Sequence, residues 1–117
     1  MGEKHLTLSE TMENVERVFN ENPEPISGVN RIYQFNIFGE EEGIFQLQLE
    51  EGKANVVAGT DAVADSTLKM SFANFHNFLA GRLNGTTAFM TGKLKIDGDV
   101  GKAIKLEQIL KQYDLRQ

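Results

Sequence analysis

Three consecutive runs of period-two hydrophobicity, Asn30 to Phe38, Ile44 to Glu50 and Lys53 to Ala58, leave this chain few folds to choose from. In the first, Tyr33, Phe35 and Ile37 share one face, with Ile32, Gln34, Asn36 and Phe38 on the other; in the second, Phe45, Leu47 and Leu49 oppose Gln46, Gln48 and Glu50. Gly39 to Gly43, enclosing three glutamates, predicts a solvated hairpin loop, and Glu51-Gly52 a tight turn. A carboxylate site in that loop is disfavoured by like-charge repulsion and by the lack of a nearby histidine. Strands joined this closely pair antiparallel. Their polar outer faces turn one side of the sheet to water, so the helices must cover the other.

The flanking segments supply those helices. Thr7 and Glu10 form a capping box ahead of Leu8, Met12, Val15, Val18 and Phe19 at helical spacing, and Pro23, Pro25 and Ser27-Gly28 make a short connector. After a small-residue loop, Gly59 to Asp65, the alternation of Ser66, Leu68 and Met70 predicts a fourth strand. Ser71 caps a helix bearing Phe72, Phe75, Phe78 and Leu79, which Ala80-Gly81 ends. Asn84-Gly85 predicts a turn, Thr86 the cap of a single helical turn carrying Ala88, Phe89 and Met90, and Gly92 the release into a strand over Lys93 to Asp97. Asp99 caps a last helix whose stripe runs through Val100, Ala103, Ile104, Leu106, Ile109, Leu110 and Tyr113. The expectation is one α+β domain over residues 1–117, a five-stranded, mainly antiparallel sheet with helices on one face.

Several functions are disfavoured. A net charge of -5 argues against nucleic acid, whose binding rests on clustered Lys and Arg. No cysteine is present, which removes disulfides, thiolate chemistry and cysteine-based zinc sites and suits a reducing, cytoplasmic setting. No apolar run approaches the roughly 20 residues that span a bilayer, and no signal-peptide pattern is expected. His5 and His76, the latter expected on the exposed side of its helix, lack ligand-spaced companions, so no metal is expected. Gly98 to Lys102 is similar to the tail of a phosphate-binding loop, but Ile96 stands where that loop needs glycine and Ala103 where it needs Ser or Thr. No nucleophile elbow or catalytic triad can be assembled, and neither an enzyme nor a cofactor is expected.

The run Ala64-Asp65-Ser66-Thr67-Leu68-Lys69-Met70-Ser71, then Phe75, Ala88-Phe89-Met90, Gly92-Lys93-Leu94-Lys95-Ile96, Gly98-Asp99, Ala103 and Lys105-Leu106, resembles the sterol carrier protein type two family, with the same order of elements over nearly the whole chain. The resemblance implies an apolar tunnel between sheet and helices that accepts fatty acids, fatty acyl-CoA, sterols or phospholipids, and no catalytic residues. Thr91 stands where family carriers often have glutamine, and the chain ends Leu115-Arg116-Gln117 rather than in a peroxisomal Ser-Lys-Leu-like address.

The apolar residues alone suit a packed core as well as a tunnel. A cavity of roughly 300 Å³ left empty would cost about 7 kcal/mol at about 24 cal/mol per Å³, comparable with the net stability of a domain, so a tunnel should rarely be empty. The ligand walls expected from the resemblance are Phe45, Leu47, Val56, Phe75, Phe78, Leu79, Phe89, Met90, Leu94, Ile104, Ile109 and Leu110. Lys93, Lys95 and Lys102 are the cations available to an anionic headgroup, although solvated surface lysines are the simpler account. The expected partner is a hydrophobic lipid, with room for transient contact with a membrane or a lipid enzyme. Two alternatives stay open: an accessory module presenting a lipid to a separate enzyme, and a structural or dimerising domain with a filled core.

Overall fold

The computed structural model describes residues 6–115. Helix α1 (Leu8–Glu21) leads through a 3₁₀ turn (Glu24–Ile26) into strands β1 (Arg31–Phe38), β2 (Gly43–Glu50), β3 (Lys53–Ala58) and β4 (Ser66–Ser71). Helices α2 (Phe72–Leu79) and α3 (Gly85–Met90), strand β5 (Lys95–Gly98) and helix α4 (Val100–Leu110) complete the domain. The five strands form one sheet in the order β3-β2-β1-β4-β5. The pairing is antiparallel except between β1 and β4, which run parallel, making the sheet mixed.

Register explains the core. Tyr33 pairs with Leu47 and Ser66, and Phe35 with Phe45 and Leu68, so their side chains share the face that α1, α2 and α4 cover. Phe35 and Phe75 meet across it with ring centroids 5.2 Å apart, joining β1 to α2. The capping box is formed as expected: Glu10 N–H donates to Thr7 Oγ1 at 3.1 Å and Thr7 N–H to Glu10 Oε1 at 2.9 Å. Helix α1 also closes the edge of β3, where Glu16 accepts the Val56 N–H and Asn20 bonds both backbone groups of Ala54.

Some local expectations are corrected. Asn84, not Thr86, caps α3: its Oδ1 accepts the Thr87 N–H at 3.0 Å. The last strand begins at Lys95 rather than Lys93, because the N–H groups of Lys93 and Leu94 both donate to the Ala88 carbonyl and extend the turn of α3. His76 is half-buried rather than exposed, its ring edge-on to Phe72 at 4.4 Å, and His5 lies outside the described residues. In the hairpin loop, Glu41 is partly buried and accepts the Leu8 N–H at 3.1 Å. Gln46, expected at a wet face, is fully buried. The crossover from β3 to β4 passes over it, and its amide exchanges hydrogen bonds with the backbone of Ala62 and with Gln34 and Gln48.

Candidate functional site

A polar clasp fastens the start of α4 to the sheet. The Asp65 carboxylate accepts the Ile32 N–H at 2.8 Å and pairs with Lys102 Nζ at 3.1 Å; the Ile32 bond first, and then the lysine, hold it below the usual carboxylate range. The buried Tyr33 hydroxyl donates to the Lys102 carbonyl at 2.7 Å, and burial pushes its ionisation upward. Ser66 Oγ donates to the Asp99 carbonyl at 2.5 Å, and Asp99 in turn caps α4 by accepting the Lys102 N–H at 2.9 Å. These bonds make α4 a fixed wall.

Beside that wall lies an apolar cleft, lined by Phe78, Gly85, Thr86, Phe89, Leu94, Ile96, Val100, Ala103, Ile104 and Glu107. It is narrow, with about 40 Å³ of room. Its other wall, α3, has six residues, too few to be stable as an isolated helix. Helix α3 is held by the buried Ala88, by the bonds of Lys93 and Leu94 to the Ala88 carbonyl, and by the Gly85 N–H donating to Glu107 Oε2 at 2.9 Å. Thr91 caps its other end, donating Oγ1 to the Thr87 carbonyl at 2.9 Å.

The rim is apolar and wet. Phe89 (42% exposed), Val100 (38%) and Ile104 (41%) gather at this cleft and Met90 (78%) stands exposed at the end of α3, whereas the other exposed large apolar side chains among the described residues, Phe38, Ile44 and Val63, lie on the side of the sheet away from the helices. A wider depression of about 610 Å³ between Leu6-Thr7, the β1–β2 loop and α2 has a mixed, charged lining that includes Glu40, Glu41, His76 and Arg82, and so suits an apolar ligand less well. Among the described residues no cluster of His, Asp and Glu could hold a metal.

The sequence of residues 12–111 matches the model of the SCP-2 sterol transfer family. The chain belongs to that family. This SCP-2 domain is 41% identical over 110 residues to hydroxysteroid dehydrogenase-like protein 2 of Xenopus tropicalis, covering 93% of this chain and 26% of that protein. It therefore spans about a quarter of the length of the curated relatives it first matches. Its fold is similar to that of sterol carrier protein domain 2 of Helicoverpa armigera, at TM-score 0.75 and 28% identity over 95% of this chain and 94% of that one. Sterol carrier protein 2 from Yarrowia lipolytica is similar at TM-score 0.72 and 30% identity over 86% of each chain.

Within this SCP-2 fold the expected wall residues separate into groups. Phe78, Phe89, Leu94 and Ile104 line the cleft, and Met90 stands exposed at the end of α3. Phe75, Leu79, Ile109 and Leu110 are buried in the core. Phe45, Leu47 and Val56 occupy β2 and β3, the strands on which α1 packs. Lys102 is committed to Asp65, while Lys93 and Lys95 sit with Lys69 around Phe38, away from the cleft. Ile96, Val100, Ala103 and Glu107 also line the cleft but were not among the expected walls. Ala103 and Val100 lie on the α4 stripe with Ile104, a signal that could have found them; Glu107 reads simply as the polar side of that helix.

Proposed function

We propose that this SCP-2 domain carries, without catalysis, a single-chain or sterol-like lipid between α3 and α4. The observation that carries this reading is the exposed apolar rim of Phe89, Val100 and Ile104 around a cleft whose floor is also apolar. A cleft of about 40 Å³ falls far short of the roughly 300 Å³ or more of a ligand pocket, so loading requires α3 to move outward from the clasped α4. Covering the rim with acyl chain stabilises the complex by about 0.8 kcal/mol per buried methylene before ordering costs. The phenyl ring of Phe89 and the adaptable Met90 side chain suit a wall that serves more than one chain length. A cytoplasmic setting belongs to the same proposal.

Denaturing mass spectrometry of gently purified protein, paired with titration of a fluorescent fatty acid, tests the reading. Copurified lipid or saturable binding supports it; the absence of both overturns it. The match to about a quarter of hydroxysteroid dehydrogenase-like protein 2 favours a second reading, in which the domain presents a lipid to an enzyme. Pull-downs with and without added lipid separate the two.

A further inference from the structure

The cleft has a polar end, formed by Gly85, Thr86 and Glu107, and among the described residues Glu107 is the only charged side chain in its lining. The carboxylate uses Oε2 to hold the Gly85 N–H at 2.9 Å. Oε1 accepts from no other group among the described residues. The approach of the two elements is tight: a Cβ on residue 85 would stand 2.7 Å from Oε1, so the carboxylate lies directly against the Gly85 backbone at this end of the cleft. Among the described residues no cation lines the cleft: Lys102 is held by Asp65, and Lys93 and Lys95 sit around Phe38.

A carboxylate accepts hydrogen bonds and donates none. Half-buried beside apolar walls, the Glu107 carboxylate attracts a hydroxyl donor and repels a second carboxylate that has no cation to share. We infer that Glu107 sets the ligand class of this cleft, selecting lipids whose polar end is a neutral hydroxyl, such as a long-chain alcohol, over lipids ending in a carboxylate. The inference rests on carriage in the cleft. The ligand lies with its hydroxyl at Glu107 and its chain along Phe89, Leu94, Ile96 and Ile104. Selection works by attraction to one class and repulsion of the other.

Displacement of the neutral dye Nile red by 1-tetradecanol and by tetradecanoate at neutral pH, in the intact protein and in Glu107→Gln, tests this. Glutamine keeps a carbonyl oxygen for the Gly85 N–H, so the closure of α3 on α4 survives while the charge is lost. The expected result is a preference for the alcohol of about tenfold or more in the natural protein, falling to about twofold or less in the variant through tighter tetradecanoate binding. Equal affinity for the two lipids in the natural protein, or an unchanged ratio in Glu107→Gln, overturns the selection while leaving carriage intact. Binding of neither lipid overturns carriage and the selection with it.

Discussion

The Tyr33 hydroxyl donates to the Lys102 carbonyl at 2.7 Å, tying the central strand of the sheet to the first turn of a helix 69 residues further along the chain. The Tyr33 side chain is fully buried, so the bond anchors the half-buried start of α4 to the core. It makes α4 the fixed side of the cleft and leaves α3 as the side able to yield.

Tyr33→Phe should therefore lower stability by about 1 kcal/mol at neutral pH, read from urea denaturation. Burial raises the Tyr33 ionisation above its usual value of 10.0. The unfolded chain then loses this proton first, so the stability contributed by the neutral phenol is complete below pH 10 and disappears as pH climbs through the folded value. The gap between natural protein and variant should be narrower near pH 10.5 than at pH 7; a gap that widens would contradict the buried, neutral hydroxyl.

Asp65 works in the opposite direction. Its carboxyl is lowered below 3.8, first by the Ile32 N–H and then by Lys102, so its contribution is present above the unfolded value and fades as pH falls through the folded one. Asp65→Asn should cost about 1–2 kcal/mol at pH 7. Urea midpoints of the two proteins should converge toward pH 3.

Gly98 stands at φ +88°, and a Cβ there would come within 2.6 Å of the Asp65 carbonyl oxygen. Both the backbone angle and the contact oppose any side chain. Gly98→Ala should lower stability by about 2 kcal/mol, measured as a shift in thermal midpoint, and should disturb the β4–β5 pairing through which Ser66 faces Gly98.

Ile104→Asp tests the cleft against the other end of the sheet. Ile104 is partly in solvent, so a charge there is tolerated by the fold, but it lies where an acyl chain would pass. Affinity for a fluorescent lipid should fall about tenfold or more with little change in thermal midpoint. Phe45→Ala, on the β2 side of the sheet, should destabilise the protein yet leave affinity within about twofold.

Much of this architecture was legible because the signals are local. The alternation of Tyr33, Phe35 and Ile37 and the caps Thr7, Ser71 and Asp99 each depend on residues a few positions apart. The clasp was not legible, since Asp65 meets Ile32 and Lys102 across 33 and 37 positions and nothing in the chain announces which acid will do so. Alternation placed Gln46 on the polar face but says nothing about a loop crossing over that face. For the cleft, a helical stripe does not distinguish its centre from its margin: Ile109 sits in the core and Ile104 on the rim of the same helix. The pairing of Glu107 with Gly85 depends on how closely α3 approaches α4, a tertiary fact with no spacing rule.

Carriage between α3 and α4 is tested most directly by backbone amide NMR during titration with 1-tetradecanol and, separately, tetradecanoate. Saturable shifts should concentrate on Gly85, Thr86, Phe89, Leu94, Ile96, Ala103, Ile104 and Glu107, the residues that line the cleft. No saturable shift with either lipid, or shifts centred instead on Phe45, Leu47 and Val56, would contradict it.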